Sequence, residues 1–138
     1  MEYVCDAPKN RTWFRLLSEG EAVAESEAMH HAVEKHYRRE RERADDSYKP
    51  TTTVYIEQDI GKEAYIQRTM PIFMTLRDED GLALVTAMMP PKDRPEGTCI
   101  LVGRGNADPY PDHGDAIDAL GRHCGMSLDR HRCFPYRR

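Results

Sequence analysis

Pro71-Ile72-Phe73-Met74-Thr75-Leu76-Arg77 and Leu82-Ala83-Leu84-Val85-Thr86-Ala87-Met88, joined by Asp78-Glu79-Asp80-Gly81, decide how this chain folds. Both runs are short, apolar and rich in residues that favour extended backbone. The Gly at the last loop position supplies the positive φ that a tight hairpin connection needs. Pro90-Pro91 ends the second run, Lys92 to Gly97 is polar, and Thr98-Cys99-Ile100-Leu101-Val102 reads as another buried strand. An antiparallel sheet therefore lies in the middle of the sequence.

Upstream, residues 2–6 and 12–17 read as two more strands. Ala7-Pro8-Lys9-Asn10-Arg11 carries turn chemistry between them. Ser18-Glu19-Gly20-Glu21 then has the spacing of a capping box. From there a single helix is predicted to about residue 45, with a core stripe of Ala22, Ser26, Met29, Val33 and Tyr37. Its first half is acidic and its second half basic, which suits the helix dipole. At 1.5 Å per residue such a helix is about 40 Å long, as long as a compact domain of this size is wide, about 35–40 Å. After Tyr37 the only apolar residue before Ser47 is Ala44, so its last turns have nothing of their own to bury.

Ser47 to Thr53 is a connector barred from helix by Pro50, and residues 54–70 read as a short strand followed by a short helix ending before Pro71. After the Gly103–Pro111 loop, Asp112 is placed to cap a helix over about 113–124. Its stripe is Ala116, Ile117, Leu120 and Cys124, and Gly125 sits where a terminating glycine belongs. The expected fold is α+β in one domain over residues 1–138: N-terminal β-hairpin, long helix, antiparallel strands, short C-terminal helix, and a basic tail at 130–138.

Composition narrows the function classes. The 138 residues carry 20 Lys+Arg against 24 Asp+Glu, a net charge of −4, with 39% hydrophobic and 32% charged residues. No stretch approaches the roughly 18 consecutive apolar residues that a bilayer helix requires. The N-terminal Met1-Glu2-Tyr3-Val4-Cys5-Asp6 lacks both a basic n-region and an apolar run, so no secretory leader is expected. Four scattered Cys do not resemble a disulfide framework, and a cytoplasmic protein is the expectation. Leu, Ile, Val and Phe number only 23, so seven Tyr, seven Met and Trp13 must add to the core.

Four groupings bear on chemistry. His123, Cys124, His131 and Cys133 are the densest soft-ligand cluster, which makes zinc the one cofactor to weigh, with Cys99 as an extra ligand. Their spacing matches no common zinc knuckle, and neighbouring His123 and Cys124 point about 100° apart on a helix. Asp108, Asp112 and His113 could line a small acid–base pocket. Yet Asp at a helix start is what the dipole selects on its own. The tail sets Arg130, Arg132, Arg137 and Arg138 beside Phe134 and Tyr136, a stacking pattern that the acidic overall balance turns away from nucleic acid. Last, the under-buried helix end and the Met-rich hairpin suggest an interface through Tyr37, Arg38, Arg41, Met74 and Met88. The leading expectation is a non-catalytic interaction or regulatory protein that uses this interface for a homo-oligomer or a protein partner, with no cofactor. Zinc binding and a small enzyme with its site at 103–118 are the alternatives.

Overall fold

The computed structural model describes residues 1–48, 61–91, 99–128 and 133–135. The central hairpin forms as its sequence dictates: β3 (Ile72–Arg77) pairs antiparallel with β4 (Ala83–Met89), with Leu76 opposite Val85 and Phe73 opposite Met88. Asp78 closes the loop by accepting the Asp80 and Leu82 amides on its Oδ1, both at 2.9 Å, and Gly81 takes φ 84°. β1 (Glu2–Ala7) and β2 (Arg11–Arg15) form the N-terminal hairpin, and β5 (Ile100–Val102) adds to β4. The result is one five-stranded antiparallel sheet in the order β1-β2-β3-β4-β5, and with its helices the chain is α+β.

Strand alternation sends side chains to two faces. Trp13, Met74, Leu76, Val85, Ala87 and Leu101 pack with Ala116, Ile117 and Leu120 of α4 (Tyr110–Cys124). Trp13 is fully buried there, and its Nε1 donates to the Ala116 carbonyl at 2.9 Å. On the other face Leu16 and Phe73 join Ala22 of α1 (Glu19–Met29), Val33, Tyr37 and Ala44 of α2 (Val33–Ser47), and Ile66 of α3 (Gly61–Thr69). The sheet is thus a middle layer between two helical layers.

The single long helix is corrected to two helices. His30 adopts the left-handed conformation (φ 55°, ψ 51°) and ends α1, although no Gly or Pro marks the place. Tertiary hydrogen bonds hold the break open. The Glu34 amide donates to Ser26 Oγ at 3.0 Å and the Val33 amide to His31 Nδ1 at 3.4 Å, so two of the orphan donors at the start of α2 are met. α1 does begin at Ser18, whose Oγ accepts the Glu21 amide at 3.2 Å. The reciprocal carboxylate contact falls one residue early, on the Leu17 amide at 2.9 Å.

The break also explains what the charged end of α2 is for. It lies along α3, with Arg41 paired to Glu63, Asp45 to Lys62 at 2.6 Å, and the Ser47 hydroxyl on the Tyr65 hydroxyl at 2.7 Å. Ala44 is buried between them at 3% exposure. The helix half of the 54–70 expectation is therefore α3, while its strand lies outside the described residues. α4 starts earlier than expected, with Pro109 rather than Asp112 at the cap, and ends at Gly125 with φ 68° as its sequence signals. Beyond it β6 (Met126–Leu128) and β7 (Cys133–Pro135) form a small antiparallel ribbon, and the remaining tail positions lie outside the described residues.

Candidate binding cleft

The turn between α1 and α2 lowers His31 onto the sheet, where it meets a polar group set into an otherwise apolar face. Thr86 of β4 is 3% exposed and Glu25 of α1 is fully buried. Thr86 Oγ1 donates to Glu25 Oε2, and the other carboxylate oxygen accepts Arg77 Nη2 at 2.8 Å. Because His31 Nδ1 takes the Val33 amide, its Nε2 carries the proton and donates to Thr86 Oγ1 at 2.8 Å. Burial holds the His31 imidazole below the ordinary histidine value, against the opposing pull of Glu25. The ring is neutral at pH 7, and Arg77 is held in turn by the fully buried Thr75 Oγ1, which accepts its Nε at 3.0 Å, and by the Gly81 carbonyl, which accepts its Nη1 at 3.1 Å.

Above this group lies a recess of about 130 Å³. Val33, Phe73, Met88, Ile100 and Val102 form apolar walls, and His31, His36, Thr86 and Asn106 supply the polar lining. His36 accepts Arg39 Nη2 on its Nδ1 at 2.9 Å, which leaves Nε2 as its donor. Met88 also borders a second recess of about 390 Å³, between Glu40, Arg43, Ala44 and Ser47 on α2 and Met70, Pro71, Pro90 and Pro91 opposite. Residues 33, 36, 40, 43 and 47 lie at helical spacing, so one stripe of α2 borders both recesses.

The residues singled out from sequence are dispersed. Tyr37 and Met74 are each 1% exposed and belong to the chain's own core, Tyr37 edge-on to Phe73 with centroids 5.2 Å apart. They present no surface for a partner. Arg38 pairs with Glu19 and Arg41 with Glu63. Met88, half-buried, lines the cleft.

Asp108 and Asp112 are exposed, and Asp108 Oδ1 accepts the Tyr110 amide at 3.1 Å. His113 is turned to a different task. Arg11, 5% exposed, donates to His113 Nδ1 at 2.9 Å, to Asp115 Oδ1 at 2.7 Å and to the Pro8 carbonyl at 2.7 Å. This fan ties the first hairpin turn to α4. Burial and the neighbouring guanidinium lower the His113 pKa, and the Arg11 hydrogen bond lowers that of Asp115.

His123 and Cys124 are exposed at the end of α4, while His131 and the Cys133 side chain lie outside the described residues. Cys99 is disulfide-bonded, so its sulfur is no thiolate ligand. Among the described residues no three His, Cys, Asp or Glu side chains gather to hold a metal ion. No helix among the described residues is long and apolar enough to cross a membrane.

Sequence reading passes over Glu25 and sets His31 on a solvated helix face beside Glu27, whereas the structure turns it inward onto Thr86. Glu25 was legible in part, since it lies three residues after Ala22 and four before Met29 and so falls on the core stripe. Nothing in the sequence marked the turn that delivers His31. No protein-family model, curated protein or solved structure matches the chain.

Proposed function

We propose that this is a binding protein without catalytic chemistry of its own, which works by holding a protein partner in the cleft between α2 and the β4–β5 side of the sheet. The observation that carries the reading is the meeting of the two recesses at Met88 along one stripe of α2. Fifteen residues of helix give that stripe a length of about 22 Å, the scale of a peptide segment. The chemistry of the floor points the same way. His31, Thr86 and Glu25 spend their donors and acceptors on one another, which leaves no activated nucleophile or poised base. Such a group fixes shape.

Small organic probes test this. Isopropanol and acetonitrile, titrated separately into protein labelled at Met methyl and amide positions, are expected to shift Met88, Val102 and Ala44 saturably. Met88→Glu should abolish the response. Probes that gather elsewhere and leave the cleft silent would remove the reading.

A further inference from the structure

The dimensions and charges of the cleft specify the kind of segment it takes, an inference that rests on the cleft being the recognition surface. The recess above Thr86 holds about 130 Å³. That is well below the roughly 300–1,000 Å³ of drug-sized pockets and close to an apolar cavity of about 150 Å³ that holds one benzene. One side chain of Leu to Phe size fills it. Its floor carries no net charge, because the Glu25 carboxylate beneath is matched by Arg77 and His31 is neutral. A charged anchor would therefore lose its hydration without compensation.

The rim along α2 is different. Glu40, only 17% exposed, is shared by Arg43 at 3.1 Å and Arg39 at 3.9 Å, whose side chains are 69% and 56% exposed. Within this trio two guanidinium groups stand over one carboxylate, so the three together carry a positive charge. Arg39 and Arg43 lie three and seven residues beyond His36, about 5–10 Å along the helix. An extended segment covers that distance in two or three residues, at about 3.3 Å each.

We infer that the partner presents a short acidic segment with one apolar anchor. The anchor enters the recess between His31 and Val102, and an Asp or Glu two or three residues away pairs with Arg39 and Arg43. Guanidinium groups suit this, since they meet carboxylates in two-pronged fashion.

The test is selection of a random twelve-residue display library on the immobilised full chain, with the enriched peptides then synthesised and titrated. The enriched set should share a Leu, Phe or Tyr within three residues of Asp or Glu. Binding should weaken at least tenfold in Arg39→Glu/Arg43→Glu and in Ala32→Trp, which plugs the recess from an exposed position. It should also weaken as salt is raised from 50 to 300 mM. Amide spectra of both variants confirm that they fold.

Peptides that Ala32→Trp blocks but that carry no acid, or that ignore the double Arg variant, overturn the acidic segment and leave the cleft reading standing. Peptides indifferent to Ala32→Trp, or no enrichment, overturn both. A dimer in native mass spectrometry that Ala32→Trp dissolves would give the cleft to a second copy of the chain and likewise overturn the acidic segment.

Discussion

The hydroxyl of Thr86, on the fourth strand, donates to the carboxylate of Glu25, on the first helix, across 61 residues of sequence. Glu25 is fully buried, and its charge is tolerated because Arg77 reaches it from the neighbouring strand at 2.8 Å. Buried ion pairs seldom stabilise a fold over apolar residues of the same shape, whereas breaking one is expensive. The group is thus better explained by what it positions, the His31 ring at the cleft, than by stability.

That argument fixes a mutational cycle. Arg77→Met leaves Glu25 buried beside an uncompensated hydroxyl network, and should lose about 3–5 kcal/mol of unfolding free energy. The double variant Glu25→Leu/Arg77→Met should recover most of that loss, with an amide spectrum altered around His31. Urea titration measures both. A double variant no more stable than Arg77→Met would show that the pair itself supports the fold.

Acid should destabilise the protein well above the carboxylate range. His31 and His113 both have pKa values lowered from 6.5, chiefly by burial. Well above the unfolded value of about 6.5 both rings are neutral in the folded and unfolded chain, and stability is at its full value. As pH falls through that value the unfolded chain takes up protons that the folded rings resist, so the folded state loses ground. A second loss follows at lower pH from Asp115 and Glu63, whose pKa values are lowered by hydrogen bonds from Arg11 and Arg41. The urea midpoint should therefore drop between pH 7.5 and 5.5, and His31→Gln with His113→Gln should flatten that interval. An unchanged midpoint in the wild-type chain would count against buried neutral imidazoles.

Cys5 predicts the opposite trend in alkali. Burial, with the nearby Cys124 and Asp6 charges, pushes its thiol up from 9.0 to about 11. Its contribution is fully present below pH 9 and is lost as pH rises toward 11, because the unfolded chain gives up its proton first. Cys5→Val should remove that alkaline slope, and iodoacetamide should modify exposed Cys124 well before buried Cys5.

Local chemistry was legible where one residue sufficed to impose a conformation. Gly81, Gly125 and Ser18 each do what their residue type does anywhere, and the strand runs beside them pair as read. The cleft was not legible, because its parts are distant. Met88 was singled out for its place in a Met-rich hairpin, but its partners Val33 and Val102 reach it only through the folded sheet. The bare end of α2 suggested an external partner. Its cover is α3, whose Glu63 and Lys62 face charges that look solvated in the linear sequence.

His30 is where sequence and structure part most sharply, and it gives the last prediction. A non-glycine residue in the left-handed region costs about 1–2 kcal/mol, and here it breaks a run that otherwise reads as one helix. Ser26 holds the break by accepting the Glu34 amide, and the turned chain brings His31 to Thr86. His30→Gly relieves the strain but adds freedom to the unfolded chain, so it should change stability by less than about 1 kcal/mol. His30→Val, β-branched and ill suited to positive φ, should lose about 1–2 kcal/mol. Ser26→Ala removes the capping oxygen and should cost about 1 kcal/mol. If the two helices were continuous in solution, His30→Gly would instead be the costly change, at about 1 kcal/mol, and His30→Val the mild one. The order of the two variants in urea therefore decides whether the turn that builds the cleft exists.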